Sequence, residues 1–219
     1  MQNKKIEQSF MNQSSENAKQ SANYLKQLYR RSSLFRWRLK PTFQTDISRF
    51  IPPSDPWRGS ATIGRDVLHS AMPVKRDQPE YFTFEWLRHV RDYGGDEARI
   101  YVRNEISLWL SKNTNWDAKI WHPKFLSERI SNLIFSYKWF ASSAFASFQN
   151  RLLYQLAIEF QCLALDWQNQ PNIDDQISAL RGLLITLSAF NTKISEMVSL
   201  IDIIEKKLTD QYNITKLSK

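Results

Sequence analysis

The side chains able to do chemistry in this chain are three histidines (His69, His89 and His122), one cysteine (Cys162), scattered carboxylates, and arginines interleaved with tryptophans between Tyr81 and Phe140. The histidines have no Cys, His or Asp partner at the spacing a metal centre needs, so no metal site is expected. Gly59 to Gly64 carries no phosphate-loop lysine and follows no strand, and no Gly-x-Ser-x-Gly nucleophile elbow occurs. Asp92, Asp96 and Glu97 fall at the ends of expected helices, where capping and the helix dipole account for them. Cys162 lies in the apolar run from Phe160 to Ala164 and reads as a small buried hydrophobe. These residues point to no catalytic group and no cofactor.

The arginines are the richer signal. Trp86 with Arg88 and Arg91, then Trp116 and Trp121 with Arg129, set planar apolar faces beside fixed cations. That pairing suits an anionic sugar, whose ring stacks on an aromatic face while its carboxylate or sulfate takes a bidentate guanidinium. The same residues also suit a core: tryptophan at helical spacing packs inward, and Arg129 has Glu128 and Glu85 in reach as structural ion-pair partners. The pattern alone leaves both readings open.

The elements that must position these residues are helices. Among 219 residues, 42% are hydrophobic, only five are glycine, and most of the eight prolines precede position 80, so the later chain is nearly free of breakers and an all-α fold is expected. Residues 1–21 read as a disordered polar tail and 22–40 as a basic amphipathic helix, with Tyr24, Leu25, Leu28 and Tyr29 on one side. Residues 41–79 form an irregular Pro-rich segment, with a short helical turn near Ile63 to Ser70 and Trp57 as an anchor. Residues 80–212 carry the helical domain. A helix from Gln78 to Tyr93 ends at Gly94-Gly95; the next, capped by Asp96, buries Ala98, Val102, Ile106, Trp109 and Leu110. Pro123 opens a third, Ser142-Ser143 precedes a fourth reaching Trp167, Asp174 or Asp175 caps a fifth, and Asn191-Thr192 starts a last one. Residues 213–219 are a polar tail. Short joints predict antiparallel αα-hairpins.

The net charge of +8 is a property of the N-terminal arm: residues 1–40 hold nine Lys or Arg against two acids, and the rest holds 21 against 20. A nucleic acid or membrane-surface partner is therefore expected only through that arm. No apolar signal region follows the first lysines and no window of about 18 apolar residues occurs, so no transmembrane segment is expected and the chain reads as cytoplasmic.

Several of these residues also carry a family resemblance. Phe35-Arg-Trp-Arg-Leu39, Phe84-Glu-Trp-Leu-Arg-His-Val-Arg91, Ile106-Ser-Leu-Trp-Leu110, Trp121-His-Pro123 and Leu126-Ser-Glu-Arg-Ile-Ser-Asn132 together resemble the N-terminal helical domain of the heparinase II/III family of polysaccharide lyases, over roughly residues 24 to 210. The resemblance implies a partial α/α toroid of hairpins and binding of acidic polysaccharide, such as a glycosaminoglycan, with Trp86, Arg88, Trp121 and Arg129 facing the sugar groove. Family members cleave uronic-acid polymers by β-elimination, in which a Tyr or His removes the proton α to a neutralised carboxylate. Their catalytic residues lie largely beyond the matched stretch, so the chain is expected to be a truncated, catalytically incomplete relative, with self-association through the face left open.

Overall fold

The computed structural model describes residues 21–22, 24–41, 46–69, 75, 77–113, 115–190 and 194–217, and helices are the regular elements among them. The expected tail before residue 21 and the joint at Asn191-Thr192 lie outside the described residues. Two compact units result, Met1–Arg38 and Leu39–Lys219.

In the first unit, residues 24–31 form α1 and Ser33–Arg38 form α2. The sequence predicts one continuous helix; the chain instead breaks at Ser32, whose hydroxyl donates to the Tyr29 carbonyl and accepts from the Phe35 N–H at 3.2 Å. A serine that hydrogen-bonds its own neighbourhood offers the backbone an alternative to the helical ladder. Phe35 is the buried residue of α2, edge-on to Tyr29 at 5.4 Å.

The second unit begins with irregular chain held by side chains. Phe50 is buried between the rings of Tyr137 and Phe190, at 4.6 and 4.8 Å, and the Ile51 N–H donates to the Ala189 carbonyl. Helix α3 (Ala61–His69) lies against α4 (Trp86–Tyr93) at a separation only glycine permits. A Cβ on Gly64 would stand 2.1 Å from the His89 carbonyl oxygen, and one on Gly59 would stand 2.3 Å from that of Arg88. The helix expected from Gln78 to Tyr93 is divided. Residues Pro79–Thr83 wind as a 3-10 turn, and Phe84, at φ 55°, takes a left-handed conformation before α4 starts. Burial of the Phe84 ring against Trp86 and Trp109 holds this strained residue in place.

Helices α5 (Gly95–Lys112), α6 (Pro123–Phe140), α7 (Ala146–Asp166), α8 (Ile173–Ala189) and α9 (Ile194–Leu217) make up the rest. Gly94 and Gly95 both have positive φ, as the glycine pair predicts. Asp96 and Glu97 fall in the first turn of α5 rather than at its cap, and at α8 the cap is Asn172, which accepts from the Asp175 N–H at 2.7 Å. Helix α9 continues to Leu217, past the point where a polar tail is expected.

Helix α6 is the hub. It packs on α4, α5, α7, α8 and the 79–83 turn, and Leu126, Ile130, Leu133, Ile134 and Phe140 are wholly buried on it. Its broadest contact is with α8, the next helix but one, and small residues allow it. Ser127 donates to the Ser178 carbonyl, and a Cβ on Gly182 would meet Ser127 Oγ at 2.7 Å. Among the described residues no helix is long and apolar enough to cross a membrane.

Candidate functional site

The structure separates the four residues picked out as sugar-facing. Trp86 is 4% exposed, stacks on Tyr81 at 5.9 Å and donates its indole N–H to the Tyr81 carbonyl. Trp121 is 2% exposed, and its indole N–H reaches the Asn113 carbonyl at 3.3 Å. Arg129 is wholly buried. Its Nε donates to Glu159 Oε2 at 2.8 Å, its Nη1 donates to the carbonyls of Phe82 and Ile120, and its guanidinium lies 5.2 Å from the Trp109 ring centroid. Its ion-pair partner is thus Glu159 on α7, and neither the adjacent Glu128 nor Glu85. Gln155 completes the pair by donating to Glu159 Oε1 at 3.0 Å. This buried unit ties the 79–83 turn, the chain before α6, and helices α6 and α7 together. Of the four, Arg88 lines a cleft.

That cleft has a volume of about 210 Å³ and lies among α4, α6, α8 and the segment before α3. Helix α6 supplies Glu128, Ser131, Asn132 and Phe135, spaced three, one and three residues apart and therefore on one helical stripe. Glu85 and Arg88 come from the start of α4, Arg181 from α8, and Trp57 from the irregular chain.

Helix α4 fixes that irregular wall with four polar contacts, made by His89, Arg91 and Asp92. Arg91 Nη1 pairs with Asp55 Oδ2 at 2.6 Å and its Nη2 donates to the Trp57 carbonyl at 3.0 Å. Asp92 Oδ2 accepts from the Gly59 N–H at 2.7 Å, and His89 Nδ1 accepts from the Ser60 N–H at 2.9 Å. Trp57 is thereby held 5.8 Å over the Arg88 guanidinium and edge-on to Phe135 at 6.0 Å. The Arg88 Nη2 hydrogen bond to Asn132 Oδ1, at 3.4 Å, is long, Asn132 in turn donates to the Thr83 carbonyl, and Arg88 Nε is buried without a partner.

The electrostatics of the cleft are mixed. Two guanidiniums face two carboxylates, and among the described residues Glu128 makes no ion pair. Burial pushes the Glu128 carboxyl above its ordinary value; Lys124 and Arg181 pull it back, while Glu85 and Asp175 add to the rise. Burial pushes His89 below its ordinary value, helped by the charge of Arg88 and opposed by Glu85 and Asp92. Two aromatic faces, two guanidiniums and several hydrogen-bonding groups can hold a polar ring that carries an anionic substituent. Among the described residues no cluster of His, Cys, Asp and Glu could hold a metal ion.

Sequence reasoning names Trp57 as an anchor but does not assign Ser131, Asn132, Phe135 or Arg181 to a site. The polar stripe on α6 was readable as i, i+3, i+4, i+7 spacing; Arg181 carries no local signal. Compared with family models, curated proteins and solved structures, the chain matches none of them.

Proposed function

We propose that this chain is the helical, sugar-binding part of a heparinase II/III-type polysaccharide lyase, and that it holds an acidic polysaccharide in the cleft beside Trp57. The observation that supports this reading is the placement of Arg88 and Arg181 around one cleft with Trp57 and Phe135 at its aromatic wall. A uronate carboxylate would lie between the guanidiniums and its ring against the indole. In β-elimination the carboxylate must be neutralised before the α-proton becomes acidic enough to leave, so such a carboxylate clamp serves the reaction as much as a base does. The cleft lining offers that clamp but no Tyr or His as the base, and the reading assigns this chain binding without turnover. Packing of α6 on α8 across the α7 connection supports a partial α/α toroid, in which alternate helices form one layer. Apolar side chains exposed along α9, Val198, Ile201 and Leu208, fit self-association through an open face, and the buried Cys162 fits a reducing cytoplasmic setting.

The test is calorimetric titration with heparin, heparan sulfate and alginate oligosaccharides, together with absorbance of the unsaturated product. Binding that weakens with salt and drops about tenfold or more in Arg88→Ala and in Trp57→Ala supports the reading. Robust product formation would show that the chain carries its own base, and binding indifferent to both substitutions would remove the cleft from the argument.

A further inference from the structure

We propose that α1 and α2 form a docking surface for an anionic lipid bilayer. The surface joins two properties that water alone does not favour together. On α1, Tyr24 and Leu25 are each 64% exposed, and Leu28 and Tyr29 join them. At 100° per residue these four positions span about 140° of the helix circumference, which makes one continuous apolar face. On α2, Leu34 (60% exposed) and Trp37 (64%) are three positions apart and so lie on one side, while Phe35 is turned inward. Between Glu16 and Asp46 the sequence contains seven Lys or Arg and no acidic residue.

Each property alone has other uses. Exposed leucines without charge would call for a protein partner, and arginines without leucines would call for phosphates in solution. The combination matches the interfacial region of a bilayer: aliphatic side chains enter the acyl boundary, Trp and Tyr rings sit at headgroup level, and the cations meet acidic headgroups. A nucleic acid would use the arginines and stack on the aromatic rings, but it offers nothing to Leu25, Leu28 and Leu34. The choice of lipid over nucleic acid rests on those three leucines. The inference is independent of the sugar-binding cleft.

The experiment is sedimentation of the full chain with vesicles of phosphatidylcholine alone or mixed with phosphatidylglycerol, and, in parallel, titration with duplex DNA. The substitutions Leu25→Ser, Leu34→Ser and Trp37→Ser combined leave every charge in place and touch only exposed positions, with circular dichroism as the folding check. The expected result is binding to the mixed vesicles and not to phosphatidylcholine alone, with at least about tenfold weaker binding in the triple variant. Arg31→Gln with Arg38→Gln should weaken the same binding and reduce its salt dependence. Vesicle binding unaffected by the three serines, or DNA binding tighter than vesicle binding and equally unaffected, would overturn the proposal. No binding to mixed vesicles would overturn it as well.

Discussion

Replacing Glu159 with glutamine should be among the most damaging single changes to this fold, although it alters one atom and no side-chain volume. Arg129 and Glu159 are both wholly buried and joined at 2.8 Å. The substitution removes the negative charge and leaves the guanidinium in the interior without a counter-ion, beside the Phe82 and Ile120 carbonyls and the face of Trp109. Breaking a buried pair by removing one partner costs about 3–5 kcal/mol, because the remaining ion stays desolvated and uncompensated. Glutamine keeps a hydrogen-bond acceptor near Arg129 Nε, so the low end, about 3 kcal/mol, is expected. For a unit of this size that corresponds to a fall in Tm of about 6–12 °C. The assay is urea unfolding followed by far-ultraviolet circular dichroism at neutral pH, with Arg129→Met combined with Glu159→Leu as the control. The double variant, which removes both charges and fills the space with apolar atoms, should be more stable than either single variant. A Glu159→Gln variant within about 0.5 kcal/mol of the parent, the range of an ordinary surface change, would refute the view that this pair organises the junction of α6, α7 and the 79–83 turn.

Gly64→Ala should destabilise by about 1–3 kcal/mol, since its Cβ would stand 2.1 Å from a backbone carbonyl that cannot move without shifting α4; thermal unfolding reads the loss. Stability should fall as pH drops below about 6.5, because the unfolded chain protonates its histidine first while His89 in the folded state resists protonation and keeps Nδ1 free to accept from Ser60; His89→Gln should flatten that part of the pH profile. Glu128 has the opposite sign. Its folded-state value is raised, so its contribution is favourable below the unfolded range and is lost as pH rises through the folded value. Glu128→Gln should therefore raise Tm at pH 7 and leave it little changed near pH 4.

Much of the helical layout was legible because apolar spacing reports directly which side of a helix is covered. Ala98, Val102, Ile106, Trp109 and Leu110 are all buried on α5, as their intervals require, and so are Leu126, Ile130, Leu133 and Ile134 on α6. The breaks were less legible. Phe84 gives no sign that it will adopt positive φ, since the rings that close around it include Trp109, twenty-five positions along the chain, as well as its neighbour Trp86. The site was hardest for the same reason. The spacing left open whether Trp86, Trp121 and Arg129 meet a core or a ligand, and for Arg129 the answer depended on Glu159, thirty positions away on another helix. Arg88 lines the cleft opposite Trp57, which lies on irregular chain whose position is set by α4 and not by its own sequence.

That dependence of the Trp57 wall on α4 has a kinetic consequence. A segment without regular structure ordinarily exchanges its amide hydrogens quickly, yet the Gly59 and Ser60 amides are held by Asp92 and His89 at one helix, with Arg91 gripping the chain just before them. Their hydrogens should be released only when α4 itself opens, so loop and helix should exchange as one cooperative unit with a shared opening free energy. The rim of the cleft would then be as durable as the helix beneath it, and ligand entry would not wait on a loose flap.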